Sequence, residues 1–193
     1  HDPSPRPGRA MIQTEPLSWG AHVTPAFRAR VFSLCTDFGW REEHASWLMA
    51  CMAFETGRTF SPTIRNPRSS AVGLIQFMAA TAKGLGTSVT QLARLDAVGQ
   101  LHYVERYLEP FAARIHDLDD IYLAILWPAA VGRPGETILW RGSAPAYAAN
   151  RGLDLDRNGR ITKHEAAAKP RALLAEGYRF DNVFRPTAPA ARP

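Results

Sequence analysis

The chain has 193 residues, 46% of them hydrophobic and 21% charged, which suits a single domain able to bury a substantial core. No apolar run approaches the roughly 18–20 residues of a membrane span. The formal charge of +5 favours polyanionic partners, but no nucleic-acid-binding motif and no dense Lys/Arg arm accompanies it.

The Pro-rich residues 1–20 are expected to be a flexible segment, as are residues 181–193 at the other end. Residues 21–180 then form one domain. The chain starts at His1, which suggests a processed or excised form, so the lack of a signal peptide leaves the export route open. Between the ends the pattern is helical, with no convincing strand alternation. A first helix is expected from near Thr24 to Gly39, with Pro25 in the first turn. A second should span Glu42 to Glu55, where Trp47, Leu48, Cys51, Met52 and Glu55 recur on one helical face and Gly57 provides a left-handed stop. A short helix should follow Met78. A long one should run from Asp96 to about Ile115, kinked by Pro110. Asp117 or Asp119 should cap another that ends at Pro128. The fold class is therefore all-α. Cys35 and Cys51 have no metal-ligand spacing, and either a disulfide or buried free thiols would fit. His44, His102, His116 and His164 suggest solvated or capping roles.

Glu55 ends a helix on its apolar stripe, so burial should raise its pKa and keep it protonated near neutral pH. A protonated carboxylic acid in a cleft is what glycosidic cleavage needs. From Thr56 to Leu95 no Asp or Glu occurs, while Arg58, Arg65, Arg68, Lys83 and Arg94 do. Such a cleft would favour a substrate that carries carboxylates, although nucleic acid would fit the charge too. The nearest downstream acid in sequence is Asp96. If no second carboxylate stands near Glu55, one group must act as acid and then base, which suits attack by a sugar hydroxyl.

Glu55, Phe60, Pro62, Ile64, Asn66, the Ser70–Gln76 turn (Ser-Ala-Val-Gly-Leu-Ile-Gln) and Thr81-Ala82 resemble the lysozyme-like soluble lytic transglycosylase domain and related bacterial and phage muramidases. The resemblance covers roughly residues 25–135. It implies a lysozyme-like helical domain that cleaves the MurNAc-β-1,4-GlcNAc bond of peptidoglycan in the periplasm or the extracellular wall, with Glu55 as general acid/base and no cofactor for catalysis. Asn66, Gln76 and Tyr103 would contact substrate. Thr56 stands where the family has Ser, and Trp127-Pro128-Ala129-Ala130 stands where it has Tyr-Asn-Ala-Gly, so anhydro-sugar formation and hydrolysis both stay open. An injected antibacterial effector of this kind would imply an inhibitor protein, on which the sequence is silent. The alternative from another class is a non-catalytic, calcium-dependent glycan-binding module.

Residues 154–165 fit an EF-hand-type calcium loop. Asp154, Asp156 and Asn158 offer side-chain oxygens, Gly159 the sharp turn and Arg160 its carbonyl. Thr162 takes the ninth position and Glu165 closes the loop as a bidentate ligand. Hard oxygen donors select Ca²⁺, here expected as a structural staple. Arg157, Arg160 and Lys163 are expected to dilute the loop's negative charge.

Overall fold

The computed structural model describes residues 13–187. In chain order the helices are α1 (Pro25–Asp37), α2 (Glu42–Glu55), α3 (Ala79–Gly84), α4 (Val89–Leu92), α5 (Ala97–Leu108), α6 (Leu118–Leu126), α7 (Pro145–Ala149), α8 (Lys163–Ala166) and α9 (Ala168–Gly177). Two short strands, β1 (Ile138–Arg141) and β2 (Arg160–Thr162), form an antiparallel pair. The protein is thus mostly helical with a small two-stranded sheet. Strands of four and three residues are too short to display an alternating pattern, which is why the sequence concealed them.

Helix α2 is the axis of the domain and packs against α1, α6 and α9. It is not amphipathic. Residues 44–46 and 48–53 are all buried, including Met49 and Ala50 on the side opposite the expected stripe. Fully burying each Leu or Met side chain here contributes about 2 kcal/mol. The helix starts with Glu42 and Glu43 at its positive end, and the Glu42 carboxylate also accepts the amides of Thr14 and Glu15 at 3.0 and 2.8 Å. It stops in a Schellman motif: Arg58 N–H donates to Ala53 O at 2.7 Å and Gly57 N–H to Phe54 O at 3.3 Å, with Gly57 at φ +58°.

The other caps follow from the residues expected to make them. Thr24 accepts the amide of Phe27, Asp96 that of Gly99 and Asp117 that of Asp120. The long helix predicted from Asp96 ends at Leu108. Pro110 lacks the N–H that the α-helix needs, and the chain tightens into a 3₁₀ segment over Glu109–Arg114. Helix α9 carries no strong periodicity and was not foreseen.

The expected flexible ends need correction within the described residues. Leu17, Ser18 and Trp19 are buried, and Trp19 Nε1–H donates to Leu173 O at 2.8 Å. Leu17 and Phe184 exchange backbone hydrogen bonds at 2.8 and 3.0 Å, and Val183 is buried as well. Pro-rich composition marked the ends as linkers, yet the apolar side chains among the prolines supply core surface. Residues 1–12 and 188–193 lie outside the described residues. Among the described residues no helix is long and apolar enough to cross a membrane.

Candidate functional site

Glu55 sits in the last turn of α2, half-buried, and burial pushes its pKa up to about 7. Among the described residues nothing donates a hydrogen bond to its carboxylate, and burial is the one cause of the shift. The next residue, Thr56, is fully buried. Its hydroxyl donates to Met52 O at 2.7 Å and accepts the Phe60 amide at 2.9 Å. The hydroxyl that replaces the expected serine therefore fastens the exit of α2 to the following loop. That loop leaves through left-handed backbone at Gly57, Arg58 and Phe60, with Arg58 held by the Glu176 carboxylate at 2.7 Å.

The segment 64–77 folds as a tight double turn, with antiparallel bridges Arg65–Val72 and Val72–Phe77. Gly73 lies at φ +81° and Gln76 at φ +55°. The Gln76 side-chain nitrogen donates to Gly73 O at 3.1 Å and Ile64 O at 3.3 Å, so this half of the amide ties the turn together. Asn66 is exposed, and its Oδ1 accepts the Arg68 amide at 2.9 Å in an Asx turn. Tyr103 is half-buried on α5 with the Arg106 guanidinium 5.8 Å from its ring centroid. The tyrosine that shares a cavity with Gln76 is Tyr107. A small hollow of about 40 Å³ is lined by Gln76, Phe77, Thr81, Tyr107 and Ile125.

Two further residues place the site, and sequence reasoning missed both. Gln100 on α5 is fully buried; its Oε1 accepts the Leu74 amide at 2.7 Å, and its Nε2 donates to Pro62 O and Leu92 O at 3.0 Å. It clamps the glycine turn to the helical core. The available signal was a polar residue at i, with Val104 and Leu108 at i+4 and i+8. Tyr122 on α6 meets Phe54 edge-on at 5.5 Å, and its phenol is raised by burial and then by the charge of Glu55. The same two influences raise the Cys51 thiol, with Asp119 adding to them. Cys35 and Cys51 are both buried and free, and burial pushes Cys35 up to about 12.

No family model matches the chain, and no curated protein matches it. The chemistry must be argued from the geometry.

A second cluster lies in the loop 154–165. Carboxylate oxygens of Asp154, Asp156 and Glu165 lie within 4.8 Å of one another, close enough to hold a metal ion together. Asp154 is pulled below the usual carboxylate range by the Tyr147 hydroxyl at 2.6 Å, helped by the amides of Gly159 and Asn158. Gly159 has φ +81°, and Ile161 is fully buried against Trp140. The Asn158 Oδ1 accepts the Arg160 amide at 2.9 Å. Thr162 and Glu165 form a reciprocal capping box at the start of α8.

Lys163 does not dilute the loop's charge. It turns into the core, is 1% exposed, and pairs with Asp120 of α6 while donating to Arg133 O at 2.7 Å. Asp120 also accepts the amides of His116 and Gly132 at 2.9 and 2.7 Å. Next to it Asp119 accepts from Arg171 of α9 at 2.6 Å, with His164 Nδ1 at 3.1 Å. The loop's exit is thus bolted to the helix that carries Tyr122. His44 differs from expectation as well: it is buried between Trp40 and Trp47, with ring centroids at 5.0 and 4.5 Å, and burial lowers its pKa.

Proposed function

We propose that this protein is a peptidoglycan-cleaving muramidase with a lysozyme-like helical fold, acting on the MurNAc-β-1,4-GlcNAc bond in the periplasm or the extracellular wall. The observation that carries the proposal is Glu55: a half-buried carboxyl, without a protein hydrogen-bond partner among the described residues, raised to about pH 7. In that state it donates a proton to the glycosidic oxygen as the bond to the anomeric carbon lengthens. The resulting carboxylate then takes a proton from the attacking hydroxyl. Burial shifts Glu55, and no charge of another carboxylate among the described residues contributes to that shift. This supports a single acid/base with either the sugar's own hydroxyl or water as the attacking group. The buried phenol of Tyr122 and the turn that ends at Gln76 would wall the cleft, with Asn66 and Tyr103 further out.

The loop 154–165 would take Ca²⁺ through Asp154, Asp156, Asn158, the Arg160 carbonyl, Thr162 and Glu165, as an EF-hand-type staple away from the chemistry. Its donors fit a hard cation: they are all oxygens, and three of them are carboxylates.

Digestion of purified cell walls by the wild-type protein and by Glu55→Gln tests the assignment. Release of soluble muropeptides that falls at least about 1,000-fold on substitution supports it. Undiminished digestion removes Glu55 from the mechanism, and no digestion by the wild type favours a binding module. Mass spectrometry of the products separates anhydro-sugar from reducing ends, which differ by one water.

A further inference from the structure

The loop 154–165 also borders a concavity, which shares Asp154 with the carboxylate cluster. Tyr147, Arg151, Gly152, Asp154, Leu155, Arg157 and Gly159 line an open dish of about 700 Å³, in which the Asp154 carboxylate is already taken up by the Tyr147 hydroxyl and the Asn158 and Gly159 amides. That volume lies within the range of small-ligand sites. Beside it, Gly142 N–H donates to Gly159 O at 2.8 Å, which brings the strand pair to the rim. There Arg141 of β1 stands directly opposite Arg160 of β2, both exposed, on the face away from the buried Trp140–Ile161 pair. Like charges directly opposite one another across a strand pair are destabilising.

The bland explanation is that these arginines neutralise the loop acids, and the geometry argues against it. None of Arg141, Arg151, Arg157 and Arg160 forms an ion pair with a described residue, although Arg157 follows Asp156 directly in the chain. The loop carboxylates are instead occupied by Tyr147, the backbone amides, Asn158 and Thr162. Two guanidinium groups without an ion pair, Arg151 and Arg157, therefore line the concavity, and two more, Arg141 and Arg160, are exposed on the strand pair next to it. Leu155 is 56% exposed there, and the half-buried Tyr147 ring lies in the lining, so the dish combines apolar and cationic surface.

We propose that this dish binds an oxyanion-bearing saccharide: a sugar ring against Tyr147 and Leu155, with its carboxylate or phosphate held by Arg151 and Arg157. Planar guanidinium groups recognise both oxyanions through paired N–H bonds. A cell wall offers the two chemistries from different sources, the lactyl and peptide carboxylates of peptidoglycan and the phosphates of teichoic polymers. The inference does not depend on catalysis by Glu55, because every residue it uses belongs to segment 141–160.

The test is a binding titration of the full chain, in calcium at low salt, in the Glu55→Gln background so that no probe is cleaved. The probes are a muramyl-peptide saccharide, a glycerol-phosphate oligomer and the uncharged oligosaccharide chitotetraose. We expect at least one anionic probe to bind and Arg151→Gln/Arg157→Gln to weaken it about tenfold or more, since hydrogen bonds to charged groups are being removed. Arg179→Gln/Arg185→Gln, exposed positions elsewhere with the same change in charge, should leave binding within about twofold. Which anionic probe binds more tightly assigns the source. The proposal is overturned if neither anionic probe binds, if chitotetraose binds as tightly, or if the control pair weakens binding as much as the dish pair. All four substituted side chains are exposed, so unchanged melting temperatures would keep the comparison free of unfolding.

Discussion

Gln100 lies against Gly73 so closely that a methyl group on the glycine would stand 2.2 Å from the glutamine Oε1. The contact is what presents the segment from Gly73 to Gln76. The glycine is required twice, by its φ of +81° and by the amide pressed against it. Gly73→Ala should therefore cost more than about 2 kcal/mol. Gln100→Ala, which strands the buried Leu74 amide, should cost about 2–3 kcal/mol. The pair should cost less than the sum, because removing the glutamine makes room for the methyl. Urea unfolding of the two single variants and the double variant measures this; strict additivity would show that the contact is incidental.

The raised pKa of Glu55 makes two linked predictions. Cleavage should be fastest while the carboxyl is protonated, with kcat/KM falling as pH rises through about 7. Stability should move in the same sense. Between the ordinary carboxylate range and pH 7 the folded protein binds more protons than the unfolded chain, so it loses stability as pH rises across that window. Glu55→Gln, which cannot ionise, should stabilise the protein at pH 8 relative to pH 4, by about 2 kcal/mol. Melting curves at the two pH values check this, and an equal effect at both would place the carboxyl in ordinary solvent.

Calcium should raise the melting temperature by about 5 °C at saturating concentration, and chelation should reverse the gain. Glu165→Gln should abolish the response, whereas Mg²⁺ should reproduce it only weakly. A melting temperature indifferent to chelator sinks the metal reading.

The Lys163–Asp120 pair is almost wholly buried. Replacing Lys163 with Met leaves an uncompensated carboxylate and should cost about 3–5 kcal/mol. Lys163→Met combined with Asp120→Asn should recover part of that loss: the buried charge is gone, but the single asparagine oxygen can keep only one of the His116 and Gly132 amides, which the two carboxylate oxygens accept separately. Thermal unfolding of the two variants decides it.

Much of the architecture was legible in the residues. Caps at Thr24, Asp96 and Asp117 announce themselves because each places a short oxygen-bearing side chain before an apolar run. Glu55 and the spacing of residues 154–165 were legible for the same reason: the chemistry is local. Gln100, Lys163 and Trp19 were not, because each makes a deciding contact far along the chain, to Leu74, Asp120 and Leu173 at 26, 43 and 154 residues. The deeper difficulty was α2. A helix buried on every side has no polar face to oppose its apolar one, so its stripe suggested an orientation that full burial makes irrelevant.

That burial has a consequence for how such a protein can change. Glu55 rides on a helix that α1, α6 and α9 grip from several directions, so its place in the molecule is hard to alter. The turn from Ala71 to Phe77 is itself mostly buried and clamped by Gln100, whereas residues 61–70 before it are exposed or half-buried. Sequence change is therefore expected to accumulate in residues 61–70 while the stretch from Glu42 to Thr56 stays still, a division between a fixed carboxyl and a variable neighbouring loop.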